Sequence, residues 1–224
     1  MRVEGAKDGL RVRLGDIVLV EHSTDEPAFF TGIGEPESNL HRGNFKVLDR
    51  RLARYALELI ALEVRDGLTV ATMKRRGATV AEVTITFGRD GENIGIELHG
   101  GGLNRFWIRL HSEPGEHLWG GGEQFSHFNL AGRRFPMWTQ EPGVGRDLTT
   151  RMALIAENDA KAGAHEAATY YPQPTFASSR RYALHVDSPA YSVLDFTSPM
   201  FHEIEVWDTA FRFELFAGSG LEDL

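Results

Sequence analysis

Hydrophobic positions in the first hundred residues recur every second residue rather than every third or fourth. In LRVRLGDIVLVEH, Leu10, Val12 and Leu14 share one face, and Gly15-Asp16 turns the chain before Ile17 to Val20, as expected of a hairpin with one buried side. The same alternation predicts strands over residues 28–33, 44–48, 68–74, 79–87 and 94–98, with turns at Asp66-Gly67, Arg76-Gly77 and Asp90-Gly91. Such regular spacing describes an antiparallel meander. Residues 48–67 fit two patterns: Leu52, Tyr55, Ala56, Leu59 and Leu62 also lie on a helical face, and Ala, Leu, Arg and Glu favour helix. Strand neighbours on both sides require a partner here, so this segment is expected to be a strand.

Alternation resumes over residues 106–113, 181–186, 191–196, 202–207 and 211–216, while residues 149–173 read as a long, irregular polar excursion. About a dozen strands with almost no helix predict an all-β fold, a large antiparallel β-sandwich. The segment AGSGLEDL looks like the opening of a helix capped by Ser219. Residues 1–217 are therefore expected to form the sandwich, and residues 218–224 to begin a connection to something further.

Composition narrows the function more than the fold. The net charge of −8 removes any general attraction to nucleic acid or anionic membranes. The absence of cysteine excludes disulfides, thiolate chemistry and cysteine-ligated zinc, and fits a reducing, cytoplasmic compartment. The first residues lack the apolar core of a signal peptide, and no apolar run approaches the roughly 20 residues of a membrane span.

One stretch gathers most of the candidate chemistry: GGGEQFSHFNLAGRRFPMWTQEPGVGRD, residues 120–147. Its three consecutive glycines permit positive φ and close backbone approach. They do not make a phosphate loop, because no Gly-Lys-Ser or Gly-Lys-Thr follows. Glu123 and Gln124 offer a carboxylate and an amide suited to vicinal sugar hydroxyls, and Phe125, Phe128 and Trp138 could stack on pyranose faces. The structural alternative stands beside this: glycines for tight turns, aromatics for the core, and Glu123 as a turn cap. His99, His111, His117, His127, His185 and His202 are scattered without metal-ligand spacing, so no metal or cofactor is expected. Glu203 and Glu205 alternate on one strand face beside His202 and read as a solvated surface. Glu123, Glu141 and Asp147 could be imagined as paired catalytic carboxylates, but sequence separation does not establish the distance such a pair needs, and one sandwich loop rarely provides both groups.

The stretch at 120–147, together with HRGNFKVLD (41–49) and TYYPQPTFASSRRYALHVDSPAYSVLDF (169–196), resembles the N-terminal region of glycoside hydrolase family 31. GEQFS, FP-W, EPGVGR and YPQPT, in that order, resemble its sulfoquinovosidase branch. The resemblance implies a galactose-mutarotase-like β-sandwich followed by a (β/α)8 catalytic barrel. It also implies a retaining mechanism with two barrel aspartates, and barrel Arg, Trp and Tyr groups that recognise the sulfonate. None of those groups lies in this chain, so it carries no catalytic residue and is expected to be inert without a barrel, its own or a second chain's. The implied substrate is a sulfoquinovosyl glycoside. Glu123 and Gln124 would reach it from the mouth of the barrel, and Trp138, Gln140, Glu141 and Arg146 would pack at the domain interface. An α-glucosidase or α-xylosidase of the same family, or a non-catalytic carbohydrate-binding sandwich, remain the alternatives.

Overall fold

The computed structural model describes residues 1–88, 93–141, 149–161 and 165–223. In chain order the strands are β1 (Arg2–Ala6), β2 (Gly9–Leu14), β3 (Ile17–Ser23), β4 (Phe29–Ile33), β5 (Pro36–His41), β6 (Asn44–Asp49), β7 (Ala53–Arg65), β8 (Leu68–Arg75) and β9 (Val83–Phe87). They continue with β10 (Asn93–Leu98), β11 (Arg105–His111), β12 (Leu118–Gly122), β13 (Arg134–Met137), β14 (Pro172–Ser178), β15 (Tyr182–Asp187), β16 (Ser192–Asp195), β17 (Phe201–Val206) and β18 (Ala210–Ala217). One helix, α1 (Arg151–Ala160), interrupts them among the described residues.

The large ladder runs β12-β14-β15-β18-β10-β9-β8-β7-β4-β11-β17-β16-β13, with every described pairing antiparallel. It folds over at β7. Residues Ala53 to Ala56 pair with β4, whereas Leu57 to Arg65 pair with β8 around a register shift between Leu59 and Ala61. A bulge of this kind bends and twists a strand, so one long strand serves both layers of the sandwich. Its local preference for helix is overridden by partners on either side and by alternation that buries Leu57 while exposing Ile60.

Inward side chains of the two layers interlock. Phe106 of β11 meets Phe211 and Phe213 of β18 with ring centroids 5.8 and 6.5 Å apart, and Phe176 of β14 meets Phe196 at 5.1 Å. Phe106, Phe176 and Phe213 are fully buried, each contributing roughly 1.5–3 kcal/mol by leaving water. A small β1-β2-β3 sheet adds Leu10, Val12, Leu19 and Val20 to the same core. Arg180 straps it to the sandwich, donating from Nη2 to the Val18 carbonyl at 3.0 Å and from Nη1 to the His111 carbonyl at 2.5 Å.

A separate two-stranded hairpin, β5-β6, stands off the main ladder. Its base is fixed by a buried ion pair: Arg105 Nη2 lies 2.6 Å from Asp49 Oδ1, with the side chains 3% and 7% exposed. The Arg105 guanidinium also covers the Trp207 ring at 3.8 Å.

Four expectations need correction. The segment 149–173 is not wholly irregular: Thr150 Oγ1 accepts from the Ala153 amide and caps α1, whose Ala153 and Ala156 are buried. Sequence pattern underrates this helix because its buried contacts are small alanines. Glu203 is not a solvated strand residue; it receives Arg54 Nη2 at 2.6 Å and Arg109 Nε at 2.7 Å, and these contacts hold its carboxyl below the ordinary range against the opposing effect of burial. Residues 219–223 form one 3₁₀ turn, Leu221–Asp223, in which Ser219 is a donor, its amide bonding the Asp223 carboxylate at 2.9 Å. Strand β9 also starts later than expected, at Val83, because Glu82 turns its carboxylate to Arg75, 3.2 Å away, and Val80 stays exposed. The turn at Asp90-Gly91 lies outside the described residues.

The core contains one group that sets an acid limit. His22, 3% exposed, accepts the Ala28 amide at Nδ1 (3.1 Å), and its Nε2 has no partner among the described residues. Burial lowers its pKa from 6.5 to about 4, with Asp8 opposing weakly. Because the unfolded chain binds this proton more readily, stability is lost as pH falls from about 6.5 towards about 4, with a limiting cost of roughly 3 kcal/mol. Depressed carboxylates such as Glu116 and Glu203 act below that window, where they must take up protons. Urea denaturation at a series of pH values is expected to show this slope, and His22→Asn, which keeps an acceptor near Ala28, to flatten it. An unchanged slope in the variant would assign the acid limit elsewhere.

Candidate functional site

Strands β12 and β13 are the two ends of the folded ladder, and the intervening segment 123–133 crosses from one layer to the other. Leu130 donates its amide to the Leu118 carbonyl at 2.8 Å, and Gly132 donates to the Phe196 carbonyl at 2.9 Å. The crossing is thus fixed at its far end, and its near end is set by the three glycines.

Gly120, Gly121 and Gly122 have φ of 123°, 74° and 83°, a region that side-chain-bearing residues rarely adopt. A Cβ on Gly120 would sit 2.4 Å from the Thr175 carbonyl oxygen, and one on Gly122 would sit 2.0 Å from that of Tyr171. Between them the β12-β14 register shifts. The glycines therefore let the edge strand press against β14 while its end turns outward. Beyond them the Glu123 amide donates to the Tyr171 carbonyl at 3.0 Å, and Thr169 Oγ1 donates to the Glu123 carbonyl at 2.8 Å.

With its backbone held at two points, Glu123 projects an exposed carboxylate that has no partner among the described residues. Gln124 is half-buried, and its Nε2 donates to the Gly121 carbonyl at 2.9 Å. Its amide therefore braces the loop and leaves the side-chain oxygen for other contacts. Around them stand exposed aromatics: Phe125, Phe128, Tyr170 and Tyr171 are 57%, 86%, 55% and 59% exposed. Four large rings left in water beside one loop form a surface able to pack on a sugar face or on another domain.

The segment 138–141 adjoins this surface. Thr139 and Thr169 form a parallel bridge, and the Gln140 amide donates to the Thr169 carbonyl at 2.9 Å. Gln140 is 3% exposed and takes a 2.8 Å hydrogen bond from His165 Nε2 at its Oε1. Burial lowers the His165 pKa, with Glu166 opposing, which favours the neutral ring. Trp138 is 38% exposed and rests between Phe45 and Tyr191, with centroids 5.8 and 6.0 Å away. Glu141 is exposed; its carboxylate accepts the Tyr170 hydroxyl, which raises the phenol pKa, and its amide donates to the Gly43 carbonyl at 2.9 Å. Arg146 and Asp147 lie outside the described residues. Phe135 and Met137, in the same apolar stretch, point into the core.

Sequence reasoning missed Thr169, Tyr170 and the β5-β6 hairpin as parts of this arrangement. The signals were present in TYYPQPT, whose adjacent tyrosines precede a proline, and in HRGNF, which reads as a tight turn followed by an aromatic. What was not legible was that separate motifs converge. Among the described residues no group of three His, Asp or Glu side chains is placed to hold a metal ion, and no helix is long and apolar enough to cross a membrane.

No protein-family model matches the chain. It is, however, 42% identical over all 224 residues to a sulfoquinovosidase of Agrobacterium fabrum, and 34% identical over 212 residues to one of Escherichia coli. A solved family 31 sulfoquinovosidase from E. rectale, in complex with the aza-sugar inhibitor IFGSQ, superposes with a TM-score of 0.84 at 33% identity over 98% of the chain. The chain spans about a third of each of these relatives, 33%, 31% and 32% respectively. An antiparallel sandwich with this agreement belongs to glycoside hydrolase family 31, as its N-terminal region. Within that family its similarity is to the sulfoquinovosidases.

Proposed function

We propose that this chain is the N-terminal sandwich of a retaining α-glycosidase acting on α-sulfoquinovosides, with residues 1–217 as the domain and 218–224 beginning the connection to a (β/α)8 barrel. The observation that carries this reading is that nearly the whole of this chain matches sulfoquinovosidases, in sequence and in fold together. The chemistry belongs to the barrel, supplied by the same polypeptide or a second chain, and the sandwich alone is inert. Glu123 reaches the barrel mouth, where its carboxylate accepts sugar hydroxyls, with Gln124 beside it. Trp138, Gln140, Glu141 and Arg146 form the docking edge, Gln140 acting from within by holding the segment to Thr169. The exposed Glu123 carboxylate, without a partner among the described residues, and the rings around it support that placement.

In the complete enzyme, Glu123→Ala is expected to lower kcat/KM on a para-nitrophenyl α-sulfoquinovoside about tenfold or more, the worth of one charge-assisted hydrogen bond of roughly 1.5–3 kcal/mol. Its thermal midpoint is expected to stay within a degree or two of the parent, since surface substitutions cost about 0.5 kcal/mol or less. Unchanged kinetics would remove Glu123 from the site.

A further inference from the structure

The β5-β6 hairpin carries HRGNFKVLD, and its charges are distributed unevenly. Near its base each cation has an acid: Arg50 lies 3.2 Å from Glu37, Arg51 lies 3.6 Å from Glu35, and Arg105 holds Asp49. Towards its tip, Arg42 and Lys46 are exposed and have no ion pair among the described residues. Arg42 also occupies the first position of the tight turn with φ of 50°, followed by Gly43 at 84°. Asn or Gly takes that conformation at less cost than Arg, so the turn geometry does not explain the arginine.

The tip is held beside the candidate site rather than free in solvent. Gly43 accepts the Glu141 amide at 2.9 Å, Phe45 packs edge-on against Trp138, and Asn44 Nδ2 donates to the His41 carbonyl at 3.3 Å. The nearby acid, Glu141, is engaged by Tyr170. On a chain of net charge −8, an anionic ligand meets general repulsion, and a fixed local cation changes its approach most where it overhangs the entrance.

We propose that Arg42, backed by Lys46, forms a positive rim that draws anionic glycosides to the site and favours them over neutral ones. This rests on the function proposed above. Its chemistry is that of a guanidinium facing a sulfonate during encounter. Arg42→Gly suits the test because glycine fits the turn and the fold is retained.

In the full-length enzyme, R42G is expected to reduce kcat/KM for para-nitrophenyl α-sulfoquinovoside about 3- to 10-fold, and to flatten its dependence on ionic strength. The kcat for that substrate and the kcat/KM for the neutral para-nitrophenyl α-glucoside should both be unchanged, and Arg42→Lys should restore most of the loss. An equal fall on both substrates, or a lowered thermal midpoint, would show that Arg42 braces the structure and would overturn the inference. A parental sulfoquinovoside preference and salt slope retained in R42G would overturn it as well, leaving the function standing. A parent enzyme with no preference for the anionic substrate would overturn both.

Discussion

Replacing Asp49 with alanine is expected to destabilise the domain by about 3–5 kcal/mol, because Arg105 would keep its charge in a buried place with no countercharge. The two side chains are 7% and 3% exposed, with Arg105 Nε and Nη2 at 3.1 and 2.6 Å from the two carboxylate oxygens. Space around the pair is tight: a Cβ on Gly34 would stand 2.4 Å from Asp49 Oδ1 and 2.7 Å from Arg105 Nε. The consequence reaches the site, since Asp49 ends the hairpin that sets Phe45 against Trp138 and Gly43 against Glu141. Removing both charges at once, as Asp49→Leu with Arg105→Met, is expected to recover much of the loss, because an apolar pair leaves no ion unpaired. Urea denaturation of the parent, the Asp49→Ala variant and the double variant decides it. A loss below about 1 kcal/mol for the single alanine variant would mean that water reaches Arg105 and that the pair does not anchor the hairpin.

Gly122→Ala is expected to cost roughly 3 kcal/mol or more, the second largest effect. Placing a side chain at positive φ costs about 1–2 kcal/mol alone, and here the new methyl would lie 2.0 Å from the Tyr171 oxygen and 2.7 Å from the Gln173 amide nitrogen. Those atoms belong to backbone and cannot swing aside, so β12 must part from β14 and take Glu123 with it. Neighbouring glycines give internal comparisons. Gly121→Ala meets the flexible Gln124 side chain at 3.1 Å, and Gly115→Ala, at φ of 80°, meets nothing within 4 Å. Thermal midpoints are expected to fall in the order Gly122 most, Gly121 less and Gly115 least. Equal losses at all three positions would reduce the glycine run to backbone strain, with no role for close approach.

Much of the architecture was legible because period-two burial is a local signal. Leu10, Val12 and Leu14, and later Ile94 and Ile96, announce their faces without reference to distant chain. The strand over 53–65 was legible only through its neighbours, since its own residues favour helix. The outward face of the second layer was not legible: Glu203 looked solvated because nothing in sequence places Arg54 and Arg109 on either side of it. The candidate site shows the same division. Three glycines followed by an acid point to a tight, special loop, but the reason Gly120 and Gly122 must be glycine lies far along the chain, in Thr175 and Tyr171. Likewise Gln140, an exposed type by composition, is buried because His165 and Thr169 meet it there.

The most direct test of the proposed function is hydrolysis of para-nitrophenyl α-sulfoquinovoside by the 224-residue chain alone, and by the same chain joined to a family 31 catalytic barrel. Activity confined to the joined protein, and higher on this substrate than on para-nitrophenyl α-glucoside, is the predicted result. Sugar binding by the short chain with hydrolysis by neither protein would contradict it and make the sandwich a binding module.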